Sequence, residues 1–271
     1  KSSDLINDAP IVFEDEALED KWRPENASGK FYGPTRLREG LLQSRNLVSI
    51  RLLRQLGIDT TRVYSQNFGF QLDRLPSDLS LALGTASLSP LQNATAYSLF
   101  ANGGKKVKPY FIEKILDGSG VTLFEKDEEL SFQSIDPRVA FMIKDILQEA
   151  AVRGTARKVS SLGRNDLAGK TGTTNDAEST WFTGFNEYLV TSVWVGFDQP
   201  KSLGNNEYGS STALPIWIDF MNPLLKELPP SKSFPPEGLV SVRINKESGL
   251  RAEVGENESI FEYFLEENLP N

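Results

Sequence analysis

The 271-residue sequence contains no cysteine and no histidine. A Ser-His-Asp triad, a cysteine nucleophile and a zinc site built from His and Cys ligands are therefore excluded. If the chain takes part in catalysis, its nucleophile is Ser, Thr, Lys, Tyr or a carboxylate, and its base is Lys or a carboxylate. A disulfide framework is excluded as well, although a chain without cysteine is compatible with a reducing cytosol or an oxidising periplasm. We expect no metal and no cofactor.

An excess of basic residues and a long apolar run are also missing. The 29 basic and 37 acidic residues give a net charge of −8, which argues against a nucleic-acid partner. No run approaches the roughly 18 apolar residues of a membrane span. The first residues lack an apolar leader, and the chain enters directly into the apolar segment Ile11–Phe13, so we expect a fragment of a longer protein.

Helical patterns dominate the first part of the chain. A Thr35 cap before Leu37, and then Leu47 with Ile50, predict two short helices, the second of them closed by Gly57. Two further helices are predicted, each with a capping residue followed by proline at its first position. Their caps are Ser89, in a capping box with Gln92 and with Leu91, Ala94, Tyr97 and Ala101 on the apolar face, and Asp136.

Strand patterns follow from about residue 167, where the apolar period changes to two. The chain order, helices and then a meander, predicts an α+β fold with an antiparallel sheet flanked by helices. We predict a main domain at 1–229, followed by a linker, a short β-hairpin and an acidic tail at 230–271. The predicted strands are Leu167–Thr173, Thr180–Phe185 and Tyr188–Gly196, with a hairpin at Val107–Glu125 and a last helix at Leu214–Leu228. Four aromatic residues are assigned to packing: Trp181, Trp194, Phe197 and Trp217.

The segment Gly169–Thr174 reads Gly-Lys-Thr-Gly-Thr-Thr and lies on the first strand of the meander. Glycines leave a strand edge open to a backbone ligand, and Lys170 with the surrounding hydroxyls suits a substrate that ends in a carboxylate. A glycine-rich strand entering a turn is the simpler alternative. A phosphate loop is disfavoured, because Arg164 stands where that pattern needs glycine and because the segment does not open a helix.

A second motif, Ser44-Arg45-Asn46, falls at the corner between the first two helices. Serine and asparagine are common at such corners because they cap helices, so capping is the simpler explanation of this motif taken alone. Its functional interpretation depends on the other segments.

Together these motifs resemble the transpeptidase domain of class A penicillin-binding proteins, most of all the 1A class of Gram-negative bacteria. The resemblance combines a Ser-x-Asn corner with a Lys-Thr-Gly-Thr-Thr strand and covers about residues 1–228. Further similar segments are Trp22–Asn26, Gly33–Arg38, Ala101–Gly104, Asp176–Gly184, Trp194–Gly196 and Leu214–Trp217.

The resemblance implies a D,D-transpeptidase that cross-links peptidoglycan stem peptides through a serine acyl-enzyme. It implies that Lys170 donates to Ser44, which relays a proton to the leaving amine, and that Asn46 holds the peptide amide. The hydroxyls of Thr171 and Thr173 are implied to bind the terminal carboxylate, next to Gly172 and Thr174. The Thr173 N–H is implied to be one oxyanion donor.

The resemblance also implies a setting. The intact protein is expected to be a bifunctional glycosyltransferase and transpeptidase at the periplasmic face of the inner membrane, held by an anchor upstream of Lys1. The implied partners are stem peptides, glycan strands derived from lipid II, β-lactam antibiotics and cell-wall synthesis proteins.

One family motif is missing: no lysine in the sequence has a serine three positions before it. The Ser-x-x-Lys nucleophile and the first strands of the sheet are therefore expected upstream of Lys1. The connection between Glu125 and Ser131 is also shorter than in many relatives. Three alternatives stay open: a D,D-carboxypeptidase, a β-lactamase-type hydrolase, or a binding module without catalysis.

Overall fold

The computed structural model describes residues 1–12, 22–127 and 131–271. The end of the acidic stretch after Lys126, and with it part of the short connection before Ser131, lies outside these residues. The first part of the chain is mostly helical. The elements are β1 (Leu5–Asp8), β2 (Gly33–Arg36), α1 (Leu37–Leu42), α2 (Asn46–Leu56), α3 (Ile58–Ser65), α4 (Pro90–Ala101) and α5 (Pro137–Arg153), with β1 and β2 antiparallel.

The predicted caps of the two longer helices are confirmed. Ser89 and Gln92 form a reciprocal capping box at α4, with Ser89 Oγ 3.2 Å from the Gln92 nitrogen. Asp136 accepts from the Arg138 nitrogen at 2.8 Å and caps α5. Each cap satisfies a backbone N–H that the first helical turn leaves without a partner.

Two helix predictions were wrong in detail. Thr35 does not cap α1, because β2 stays paired with β1 up to Arg36 and the Thr35 hydroxyl donates to Gly33 O at 3.0 Å. The buried side chains of α4 are Ala96 and Leu99, whereas Leu91 is exposed. Both differences come from pairing and packing with other segments, which local patterns do not encode.

A three-stranded antiparallel sheet forms the centre of the structure, and one more helix packs on it. These elements are β7 (Ala168–Thr173), β8 (Ser179–Phe185), β9 (Val190–Gly196) and α6 (Ala213–Lys226), with the strands in the order β7-β8-β9. Phe182 packs against Trp217 on one face, and Phe185 packs with Leu147 and Tyr97 on the other. The sheet therefore lies between α6 and the pair α4 and α5, which confirms the predicted fold class.

The strands β8 and β9 pair antiparallel through a tight turn as predicted, but the turn lies one residue later in the chain. β9 begins at Val190, and the Asn186 nitrogen donates to Leu189 O at 2.9 Å, so Glu187 and Tyr188 form the turn. Asn186 Oδ1 accepts from the backbone nitrogens of Tyr188 at 3.0 Å and Leu189 at 2.9 Å, which stabilises it. Trp194 and Phe197 are exposed, so assigning them to the core was wrong.

Two smaller hairpins complete the described residues. β4 (Lys114–Leu116) and β5 (Thr122–Glu125) form the middle of the predicted hairpin, next to the short pair β3 (Lys105–Lys106) and β6 (Phe132–Gln133). Near the C-terminus, β10 (Leu239–Asn245) pairs with β11 (Ser259–Leu265), so the acidic segment after Glu253 contains a strand. No helix within the described ranges is long and apolar enough to cross a membrane.

Candidate active site

The Ser44 corner lies between the end of α1 and the start of α2. Ser44 has φ of +56°, in the left-handed region that residues with a side chain seldom occupy. Its N–H donates to Leu41 O at 3.2 Å, and the Asn46 amide donates to Glu25 O at 2.7 Å. Neither of their side chains caps α2; Asn26 Oδ1 instead accepts from the Leu47 nitrogen of its first turn, at 3.5 Å. Capping therefore does not explain this serine and asparagine.

Lys170 on β7 meets this corner. Its Nζ donates to Ser44 Oγ at 2.8 Å and to Thr171 O at 2.9 Å. The contact joins the two sequence motifs across 126 positions of the chain. Nothing in their spacing required it.

The electrostatic state of Lys170 follows from its partners. Within the part of the chain that the structure describes, no carboxylate forms an ion pair with this lysine; its partners are a hydroxyl and a carbonyl. Burial therefore lowers the pKa of Lys170 to about 8. A proton held this weakly is easily exchanged with neighbouring groups near neutral pH.

Among the described residues β7 pairs with β8 alone, so its opposite edge is open, without a strand partner there. Thr174 N–H donates to Ser179 O at 3.0 Å, which sets the alternation of the ladder. In an antiparallel pair the next inward residue then turns its N–H outward, so Thr173 N–H points to the open edge. Thr171 O points the same way, since it accepts from Lys170. Backbone donors and acceptors therefore line the side of β7 where Ser44 lies.

The two threonines with an implied carboxylate role contact residues that the sequence analysis did not single out. Thr171 Oγ1 lies 2.8 Å from Thr155 Oγ1, and Thr173 Oγ1 accepts from the Gly209 nitrogen at 3.0 Å. Thr173 is exposed and keeps its hydroxyl hydrogen free to donate.

Gly172 and Gly209 approach each other closely. A Cβ atom on Gly209 would lie 2.6 Å from Gly172 O, a distance that real side chains do not reach. The residue type at position 209 is therefore dictated by the backbone next to it. Neither Gly209 nor Thr155 belongs to a motif, so only the structure identifies them.

Thr174 stabilises the turn that follows β7. Its hydroxyl accepts from the Ser179 nitrogen at 2.8 Å and donates to Ser179 O at 3.2 Å, which closes the connection between β7 and β8. Substrate binding by Thr174 stays a prediction. No group of three acidic side chains suited to a metal ion is present among residues 1–12, 22–127 and 131–271.

Comparison with known proteins gives consistent matches. Residues 1–222 match the family described as the penicillin binding protein transpeptidase domain. Penicillin-binding protein 1A of Pseudomonas aeruginosa is 42% identical over 318 aligned positions, covering 99% of this chain and 39% of that relative. The structure of penicillin-binding protein 1A from Haemophilus influenzae has a TM-score of 0.92 at 34% identity, covering 100% of this chain and 46% of that chain. PonA1 from Mycobacterium tuberculosis, solved in complex with penicillin V, has a TM-score of 0.70 at 25% identity, covering 86% of this chain and 66% of that one.

The fold and the meeting of the Ser-x-Asn and Lys-Thr-Gly motifs define a penicillin-binding transpeptidase domain. The chain belongs to the penicillin-binding protein transpeptidase family. Its similarity to 1A proteins of Gram-negative bacteria confirms the class predicted from the motifs. The chain spans 39% of the Pseudomonas aeruginosa relative and 31% of penicillin-binding protein 1A of Neisseria lactamica, which is 44% identical over 89% of this chain.

Proposed function

We propose that this chain is the D,D-transpeptidase part of a peptidoglycan synthase, in which Ser44 and Lys170 carry protons during acyl transfer. The observation that carries the proposal is the 2.8 Å hydrogen bond from Lys170 Nζ to Ser44 Oγ, made by a lysine whose pKa burial lowers to about 8. A histidine-free chain has to use lysine or a carboxylate for proton transfer, and this lysine has no carboxylate partner among the described residues.

The proposed chemistry begins with a serine outside the 271 residues, in the Ser-x-x-Lys motif that they lack. Its oxygen bonds to the carbonyl carbon of the D-Ala-D-Ala peptide, and its proton passes to the lysine of that motif. The C–N bond then breaks to leave the acyl-enzyme. Because Ser44 Oγ accepts from Lys170, its own hydrogen is free to pass to the departing amine, and Lys170 replaces it. An amine of a second stem peptide then bonds to the acyl carbon and passes its proton through Ser44 back to Lys170. The ester C–O bond breaks, and the nucleophilic serine regains its proton from the lysine of its own motif.

The substrate is proposed to lie along the open edge of β7. The Thr173 hydroxyl and the charge of Lys170 suit a terminal carboxylate, with Thr171 as a second hydroxyl. The outward Thr173 N–H suits the oxyanion, and Asn46 the peptide amide. Gly172 leaves this stretch without a side chain, and Thr174 shapes its end.

The remaining proposals concern the whole protein. They are a glycosyltransferase in the same polypeptide, a membrane anchor at the periplasmic face of the inner membrane, and cell-wall synthesis proteins as partners. Glycan strands with stem peptides are the proposed substrate and β-lactams the proposed inhibitors. The relative PonA1 was solved with penicillin V, which supports the latter.

The test is acylation of the full-length protein by a fluorescent penicillin, followed by assays with a stem pentapeptide and an amine acceptor. We expect a covalent adduct without added metal or nucleotide, and a cross-linked product. Release of the tetrapeptide alone would indicate a carboxypeptidase, and rapid turnover of penicillin a β-lactamase. A folded full-length protein that takes no label would leave only a binding module.

The carboxylate role is tested in the same assay with Thr173→Val, which keeps the shape of the side chain and deletes its hydroxyl. We expect acylation to slow by about 10- to 100-fold, because the bound carboxylate would lose a donor. Thr122→Val on the exposed strand β5 is the matched control and is expected to react like the wild type. Equal rates for both variants would contradict the assignment.

A further inference from the structure

Thr155 lies directly after α5 and contacts both halves of the candidate site. Its hydroxyl oxygen is 2.8 Å from that of Thr171 on β7, the residue next to Lys170. Its backbone N–H points to Leu42 O, 3.4 Å away, at the end of the helix that precedes Ser44. Thr155 belongs to neither the Ser-x-Asn nor the Lys-Thr-Gly motif.

The junction that holds Thr155 is tightly packed. A Cβ atom on the preceding residue, Gly154, would lie 2.6 Å from Leu42 O and 2.8 Å from the Cα of Ala150. Only glycine allows the end of α5 to approach the end of α1 this closely. Leu42 itself is fully buried against Ile146 and Ala150 of α5. The backbone of Thr155 is therefore held at a fixed place relative to the end of α1.

These contacts form a closed ring. Lys170 Nζ reaches Ser44 Oγ, and the chain leads back from Ser44 to Leu42 in two residues. Thr155 connects Leu42 to Thr171, and Thr171 is bonded directly to Lys170. A ring of short contacts restrains each of its members more than an open chain does, because no single link moves without stretching another.

We infer that Thr155 is a positioning residue of the transpeptidase site: its hydroxyl holds β7 at the distance from α1 at which Lys170 donates to Ser44. This inference rests on the proposed function, since it assigns Thr155 a role in the chemistry given there to Ser44 and Lys170. Thr155 acts through Thr171 and does not touch the reacting atoms.

Hydroxyl chemistry explains why the position needs threonine or serine. A hydroxyl both donates and accepts, so the Thr155–Thr171 bond forms whichever oxygen supplies the hydrogen. If a substrate carboxylate takes the hydrogen of Thr171, Thr155 is able to donate its own to the same oxygen. Valine has nearly the same shape and offers neither, so it separates the hydrogen bond from packing.

The experiment compares Thr155→Val and Thr155→Ser in the full-length protein, with penicillin acylation followed over a range of penicillin concentrations. We expect the acylation rate constant of Thr155→Val to fall about tenfold, because small misplacements of catalytic groups are costly, with the penicillin dissociation constant nearly unchanged. Thr155→Ser is expected to restore most of the rate. Thr61→Val is the matched control, since it removes one half-buried hydroxyl bond in α3, to Gly57 O at 2.9 Å.

A pH profile separates positioning from general weakening of the fold. If β7 is released in Thr155→Val, water reaches Lys170 and its pKa rises from about 8. The alkaline limit, which is the pH above which the acylation rate constant declines, then moves upward. A loss of melting temperature alone would not move that limit. If Thr155→Val folds poorly, Thr155→Ala removes the same hydroxyl with a smaller side chain, and Thr155→Ser is still expected to keep the wild-type profile.

Three results would overturn the inference. They are a rate constant for Thr155→Val within twofold of the wild type, a loss that Thr155→Ser does not restore, and a loss accompanied by an unchanged pH profile. Failure of the proposed function is distinct from these, because in that case the wild-type protein itself takes no penicillin.

Discussion

Two polar clusters lie at the two ends of α1, and they differ in whether their cations have carboxylate partners. At its far end Lys170 meets a hydroxyl and a carbonyl. At its start Arg36 and Arg38 meet the carboxylate of Glu262, whose side chain is 1% exposed. Arg38 also contacts Asp145 and Glu149 of α5. The first cluster leaves a cation without a counter-charge in the described structure, and the second surrounds its cations with carboxylates.

The pKa directions follow this difference. Burial works against the charge of Arg38, but the carboxylates of Asp145, Glu262 and Glu149 outweigh it and raise the pKa. Burial acts on Lys170 with nothing to offset it, and the pKa falls to about 8. A compensated charge is locked and suits a structural role, whereas an uncompensated one exchanges its proton readily and suits the proton transfer proposed for Lys170.

The arginine cluster also has a role in assembly. Glu262 lies on β11, beyond residues 1–222 that match the family, yet it accepts from Arg36 and forms an ion pair with Arg38, both of which precede the Ser44 corner. The Ser2 hydroxyl donates to the same carboxylate at 3.0 Å. The C-terminal hairpin is therefore joined to the start of the domain through one buried carboxylate.

The largest effect is expected for Lys170→Met in the full-length protein. Acylation should slow by about 10²- to 10⁴-fold, the usual contribution of a proton-transfer group. The free energy of unfolding should stay the same or rise, because a cation without a counter-charge is replaced by an apolar chain. Stopped-flow labelling and urea unfolding measure the two quantities. Lys114→Met, at an exposed ion pair on β4, is the control and should alter neither.

Glu262→Ala should show the reverse pattern. Removal of its carboxylate leaves two buried guanidinium groups short of a partner, which costs about 3–5 kcal/mol of unfolding free energy. Hydrogen exchange at the β11 amides, together with urea unfolding, reports the loss. Glu258→Ala is the control, because it removes the exposed partner of Lys246 in the connection between β10 and β11. The unfolding free energy should fall far less than for Glu262→Ala. Equal losses of unfolding free energy for the two substitutions would contradict the structural role of the buried Glu262 carboxylate.

The smallest effect is expected from pH. Lys170 carries its charge below its pKa of about 8 and loses it above, so the acylation rate constant should decline through that region as pH rises. The raised pKa of Arg38 keeps its charge over the same range, so exchange at β11 should not follow the decline. Rate constants measured between pH 6 and pH 10 test this; a flat profile would mean that acylation does not need the charge of Lys170.

Local signals predicted the elements that depend on local chemistry. Ser89 and Asp136 cap their helices as expected, because a cap bonds to residues two or three positions away. The start of α1 was misplaced, because pairing with β1 decides it. The exposure of Trp194 was also missed, since alternation along a strand does not state which parts of a sheet are covered.

The sequence by itself determined the family and limited the chemistry open to the chain. The absence of histidine and cysteine leaves lysine or a carboxylate as the base, and two short motifs identify the family. Only the tertiary structure decided that Lys170 reaches Ser44 and that Thr155 connects β7 to the end of α1. The same is true of the contact between Glu262 and the start of α1. These contacts join segments far apart in the chain, and their distances are set by how helices pack on a sheet, a property that no local pattern of residues contains.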